Sequence, residues 1–283
     1  MNIKALIRRH PLVTYFVLAY TISWVGSFAV GGEIFLRGET LQFADVMRMG
    51  PLVLAGPSVA GILMTYLVGG LGGLRDLASR LLKWRVDLSW YAAALFIFPI
   101  LILAVLLGLT ALVSPDFAPG FLSLGIVFGL LAGFVEEIGW TGFAFPKLQA
   151  KHGALRASLY LGLLHGIWHF VPGYLGESQL YGVYWLPRFI VMWIVAMTAM
   201  RILLVWIYSN TGSLLLAQLT HASSTGFLFI LGPHISPAGE TFWWAVYSVV
   251  LWLAAVVVIV KYGKRLVQRP RGIKLGLQLG GEA

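Results

Sequence analysis

Two adjacent carboxylates, Glu136 and Glu137, lie in Gly133-Phe134-Val135-Glu136-Glu137-Ile138-Gly139-Trp140-Thr141-Gly142-Phe143, a stretch with no other charge. An acid deep in apolar sequence is costly and needs partners, so by default it marks a functional site. Two further apolar stretches carry histidines. One is Leu161-Gly162-Leu163-Leu164-His165-Gly166-Ile167-Trp168-His169, and the other, beginning Asn210-Thr211-Gly212-Ser213, reaches Thr220-His221 and ends at Thr225. Glutamates and histidines at one level suit two chemistries. A carboxylate can act as general base toward a water that attacks a carbonyl, with a histidine orienting the water and another polar group meeting the oxyanion. Alternatively, a His/His/Glu set holds zinc, which acidifies its bound water. The zinc-protease spacing HExxH is absent, and so is cysteine, which removes thiolate nucleophiles and Cys-based metal sites.

What must position these residues is a membrane bundle. The 283 residues are 59% hydrophobic and 11% charged, where soluble domains carry about 25% charge. Eight apolar spans are expected, at about 12–30, 51–71, 90–113, 121–146, 155–172, 183–208, 212–232 and 242–261. The fold class is therefore all-α and polytopic, one transmembrane domain over 1–283 with the chemistry in a core of about 121–232. With the N-terminus in the cytoplasm, seventeen of the twenty Lys and Arg residues fall on that side and three (Arg37, Arg48, Arg188) on the other. That bias puts both termini inside. The net charge of +9 therefore belongs to membrane flanks and to a basic tail over about 262–283 rather than to nucleic-acid binding. The segment 31–50 is expected outside with an interfacial helix, and 72–89 inside as a basic connector. Lys4-Arg8-Arg9 ahead of the first apolar run reads as an anchor rather than a cleaved signal, because the run is too long for one.

Spacing brings the residues together. Neighbours on a helix point about 100° apart, so Glu136 and Glu137 cannot do the same job. The fourth and fifth spans form a hairpin turning near 150–153. Glu136 lies about fifteen residues before that turn and His169 about eighteen after it, which puts His169 opposite the glutamates at 1.5 Å per residue. His165 is one turn from His169 on the same face, and Gly162 and Gly166 allow a close helix neighbour. His221 is about ten residues into its span, near the same depth.

At these residues the chain resembles the CPBP (CAAX protease and bacteriocin-processing, or Abi) family of intramembrane endopeptidases, which includes the type II CAAX prenyl proteases. The family's EExxxR is similar to Glu136-Glu137-Ile138-Gly139-Trp140-Thr141, its FxxxH to His165 through His169, and its HxxxN to His221 through Thr225. The resemblance covers about 125–230 and implies that Glu136 is the base, His169 its partner, His221 an oxyanion donor and Glu137 a supporting carboxylate. A metal, if present, would be held by Glu136, His169 and His221; zinc and no metal both stay open. Thr141 stands where the family has Arg, His165 where it has Phe, and Thr225 where it has Asn. Arg201, in the sixth span, is expected to supply the missing counter-charge to Glu137.

The reading is an intramembrane endopeptidase of a cell membrane or other internal membrane. It would hydrolyse a peptide bond of a membrane-associated or lipidated protein or peptide, with membrane lipids as its other partner. The rivals are an inactive scaffold or immunity protein using the same pocket, and a proton-coupled transporter, for which no internal repeat is seen.

Overall fold

The computed structural model describes residues 3–268; the tail from 269 onward lies outside the described residues. The described chain is a bundle of α-helices with no strand. A short α1 (Ile3–Arg9) leads into α2 (Pro11–Leu36), α3 (Phe43–Leu81) and α4 (Leu88–Leu112), and the core follows as α5 (Gly125–Gly139), α6 (Phe145–His152), α7 (Ala154–Trp168), α8 (Phe170–Tyr181), α9 (Trp185–Phe189), α10 (Met197–Thr211) and α11 (Leu214–Leu231) before α12 (Pro237–Tyr262) closes the bundle. Two stretches of wider π-helix lie within it, at Trp140–Ala144 and Ile190–Ala196. Such π turns often occur at functional sites.

Among the described residues, seven helical segments are long and apolar enough to cross a membrane: Pro11–Leu36, Phe43–Leu81, Leu88–Leu112, Gly125–His152, Phe170–Thr211, Leu214–Leu231 and Pro237–Tyr262. The chain is thus a multi-pass membrane protein. The count differs by one from the eight expected, and the difference is the fifth span. There α7 has 15 residues, about 22 Å of helix, short of a hydrocarbon core of about 30 Å. It stops because Pro172 has no N–H to give the carbonyl of Trp168. That carbonyl is instead satisfied from another helix, by the indole N–H of Trp24 at 2.9 Å. The expected boundary between the second span and the basic connector falls at Gly70, whose φ of 59° breaks α3 without ending it. The segment 31–50 is mostly helix, with only 37–42 between α2 and α3.

Small residues set how closely the core helices approach. On α5, Gly125, Gly129 and Gly133 recur every fourth residue and form one stripe. A Cβ at any of them would collide with α11 backbone at Gln218, Ala222 or Gly226. Gln218 Nε2 also donates to the carbonyl of Phe134 at 2.8 Å. This contact holds the glutamates of α5 at the level of His221. On another side Gly139 faces Gly61 of α3, and Ser58 donates to the carbonyl of Val135. Gly162 and Gly166 of α7 lie against Thr198 and the carbonyl of Trp193. With lipid outside, close packing and such bonds take the place of hydrophobic burial between helices.

The α5–α11 stripe yields a test. Gly133→Leu should force the two helices apart, lowering the melting temperature in detergent by the equivalent of about 1–3 kcal/mol. Gly108→Leu, on α4 where no atom lies near a new Cβ, should cost less. Equal effects would count against the stripe as the determinant of this contact.

Candidate active site

Each glutamate has its own partner one turn on. The adjacent carboxylates point to different sides of α5, and the residue four further along meets each of them. Trp140 Nε1 donates to Glu136 Oε2 at 3.1 Å, and the hydroxyl of Thr141 donates to Glu137 Oε2. Both partners lie in the π turn that begins at Trp140. Both glutamates are buried, at 2% and 0% exposure, so these bonds replace water rather than add to it.

Glu137 is saturated. Arg201 Nη1 lies 2.9 Å from its Oε1 and 2.8 Å from its Oε2, and His221 Nδ1 lies 2.7 Å from Oε1. With Thr141, both oxygens have two donors. Arg201 is itself completely buried, so its charge has no water to fall back on. Its second terminal nitrogen, Nη2, lies 2.6 Å from His165 Nδ1.

That last contact fixes a proton. A guanidinium has donors only, so His165 Nδ1 accepts and its proton sits on Nε2. His165 Nε2 lies 2.8 Å from Glu136 Oε2, to which it therefore donates. The same reasoning assigns His221. Its Nδ1 faces a carboxylate oxygen and donates, so in the neutral ring Nε2 keeps a lone pair. Arg201 thus touches both glutamate systems, Glu137 directly and Glu136 through His165.

His169 is placed differently from the expectation. It makes no hydrogen bond to Glu136; its ring lies on Trp193, centroids 3.4 Å apart and 17° from parallel, and its edge meets Trp168 at 4.6 Å. The residue opposite Glu136 is His165, one turn nearer the hairpin. Counted from the turn, His165 and His169 lie about fourteen and eighteen residues along, against about fifteen for Glu136, so spacing alone does not separate the two histidines. Among the described residues, the set able to offer one ligand atom each within 4.8 Å of one another is Glu136, His165 and His221, rather than the set with His169. Arg201 sits on Glu137 and Thr141 beneath it. Thr225, one turn beyond His221, is partly buried, and its hydroxyl makes no hydrogen bond with the described residues. Trp140 was not singled out from sequence, although its i,i+4 spacing from Glu136 was the available signal.

The fold and site together describe a membrane-embedded, charge-paired glutamate–histidine centre. Residues 118–227, which hold every member of that centre, match the family model described as type II CAAX prenyl endopeptidase Rce1-like. A curated relative, the CAAX prenyl protease 2 of Methanococcus maripaludis, is 30% identical over 113 residues, 38% of this chain and 39% of that protein. The chain is therefore similar to the type II CAAX prenyl endopeptidases through its core, and the match spans well under half the length of the curated relative.

The buried Arg201–Glu137 pair predicts a stability pattern. Arg201→Met or Glu137→Met alone leaves one charge stranded and should cost about 3–5 kcal/mol. The double variant removes both charges and should regain most of that loss. Thermal unfolding of the purified protein distinguishes these outcomes. Singles as stable as the wild type would refute a direct pairing.

Proposed function

We propose that this protein is an intramembrane endopeptidase in which Glu136 activates a water for attack on a peptide carbonyl. The observation that carries the reading is the asymmetry between the two glutamates. Both oxygens of Glu137 are taken up by Arg201, His221 and Thr141, so Glu137 positions other groups. The contacts to Glu136 fall on Oε2 alone, and Oε1 is the oxygen left to meet water.

In this mechanism Glu136 takes a proton from water as the water oxygen bonds to the carbonyl carbon. His165 Nε2–H and Trp140 Nε1–H hold the carboxylate in place. His221, with its proton anchored on Glu137, uses the Nε2 lone pair to orient the water. The hydroxyl of Thr225 is the donor proposed for the oxyanion, on the ground that it is unengaged and one turn from His221. Collapse of the tetrahedral intermediate breaks the C–N bond, and the proton held by Glu136 passes to the leaving nitrogen. The products are a new carboxyl end and a free amine.

The reaction is proposed to proceed without a metal. A catalytic zinc takes three protein ligands. His165 cannot supply a lone pair while Arg201 donates to Nδ1 and the proton occupies Nε2. Moving that proton to Nδ1 would drive it into the guanidinium. Only two donors, Glu136 and His221, are then left from the cluster, next to a fixed positive charge. The substrate is proposed to be a membrane-associated protein or peptide, and the name of the curated relative makes a prenylated CAAX tail the first to test.

Glu136→Gln should lower turnover by about 10²–10⁴-fold while the melting temperature stays near that of wild type. Glu137→Gln should lower the melting temperature as well. Both are measured on detergent-purified protein with a peptide library, with and without a chelator. Full activity in chelator supports the metal-free reading, and loss that is restored by added zinc overturns it. Absence of cleavage by the folded wild type would favour a scaffold that uses the same pocket for binding.

A further inference from the structure

A cavity of about 310 Å³ lies between α3, the π turn, α6 and α10, beside the kink at Gly70. Before the kink α3 lines it with Val68 and Gly69, and past the kink with Gly73, Asp76 and Arg80. Apolar sequence gives way to charged sequence within one wall, as it does where a helix leaves a bilayer. No step of the proposed hydrolysis uses these groups.

The charges in the wall are unequally engaged. The Arg80 guanidinium donates to Asp76 Oδ2 at 3.0 Å, to the Tyr208 hydroxyl at 3.0 Å and to the Gly142 carbonyl at 2.9 Å. Arg80 and Asp76 therefore cancel in charge. Lys147 is half-buried, and its ammonium lies 4.4 Å from the centre of the Phe143 ring. It makes no hydrogen bond or ion pair with the described residues. One positive charge with three donors is left over, and it calls for one negative charge.

Hydrocarbon has its own way in. Val59, Ile62, Leu63 and Tyr66 are all exposed on α3, and their three- and four-residue spacing makes them one stripe. The next positions of that stripe are Gly69 and Gly73, both in the cavity wall. A Cβ at Gly69 would meet no atom within 4 Å. The stripe thus runs into the cavity through open space, with no side chain across it.

We propose that this cavity holds the phosphodiester of an anionic membrane phospholipid, with Lys147 pairing with the phosphate and the exposed stripe of α3 carrying an acyl chain. Basic pockets between membrane helices take lipid headgroups in this way. A phosphodiester brings the single negative charge that Lys147 lacks and is tethered to the hydrocarbon that the stripe accepts. The volume is at the lower end of ordinary ligand sites, suited to a headgroup whose chains stay outside. Arg80 is the fixed wall beside it. It also links the site to the glutamate layer, since Arg80 holds the carbonyl of Gly142 and the preceding Thr141 bonds Glu137.

The test titrates detergent-purified protein with short-chain phosphatidylglycerol or phosphatidylcholine and counts bound lipid by native mass spectrometry. Wild type should bind one phosphatidylglycerol more tightly than phosphatidylcholine. Lys147→Gln should weaken that binding about tenfold to hundredfold, the difference one charge-assisted contact supplies, and Lys147→Arg should retain most of it. Lys151→Gln removes the same charge from an exposed position outside the cavity and should leave the binding unchanged. Gly69→Leu closes the open end without touching a charge and should also abolish the tight site; it decides the matter if Lys147→Gln does not fold. Equal losses in Lys147→Gln and Lys151→Gln would mean general attraction of anionic lipid to a basic surface and overturn the proposal. Binding untouched by Lys147→Gln, or by Gly69→Leu, also overturns it. If glycerol 3-phosphate displaces the lipid at equal concentration, the occupant is a soluble phosphate and the lipid assignment is wrong.

Discussion

A guanidinium with no access to water governs the centre of this protein. Arg201 is wholly enclosed, and an ion in that position is tolerated only where opposite charge and hydrogen bonds surround it. Glu137 supplies the charge, while Thr141 and His221 complete the carboxylate's coordination. Removing water from both partners makes the pair expensive to separate, so the helices bearing them, α5, α10 and α11, have one relative placement. The remaining arm of the guanidinium then determines which nitrogen of His165 carries a proton. Through that proton the structural ion pair reaches Glu136, whose Oε2 also takes the Trp140 indole N–H and whose Oε1 has no hydrogen bond among the described residues.

The packing of the bundle serves that layer. The α5 glycine stripe lets α11 come close enough for His221 to meet Glu137. Gly162 and Gly166 bring α7 against the start of α10, so His165 and Arg201 touch. The break at His169 comes from a proline that withholds one N–H, and Trp24 repairs the loss from α2. The ends of the bundle have a similar arrangement at smaller scale, where Arg188 of α9 joins Glu177 of α8 at 2.6 Å and Glu240 of α12 at 2.8 Å.

Much of this was legible in the residues. Long apolar runs announced a membrane bundle, and the rarity of charge within them singled out Glu136, Glu137 and Arg201. Period arguments separated the two glutamates. Less legible was anything that depends on local departures from ideal helix. The π turn at Trp140–Ala144 has no distinctive composition, and spacing from the hairpin turn does not separate His165 from His169, which lie one helical turn apart. The short α7 looked like a span because apolar residues continue past its end at Trp168 as far as Pro172, and hydropathy does not register a missing N–H. Hydrogen-bond direction also needed coordinates: the tautomer of His165 follows only once Arg201 is known to face its Nδ1.

That the cation reaches Glu137 from another helix has a consequence for how such a centre is found. In this chain the position four residues after Glu137 holds a threonine, and the charge arrives from α10, sixty residues along. Arg201 already satisfies the carboxylate, so an arginine in place of Thr141 would crowd two like charges into a dry space. A linear signature that insists on arginine after the paired glutamates therefore passes over chains built this way. A spatial signature, a cation touching the second glutamate from any helix, would gather both kinds and separate them from chains in which the cation has been lost.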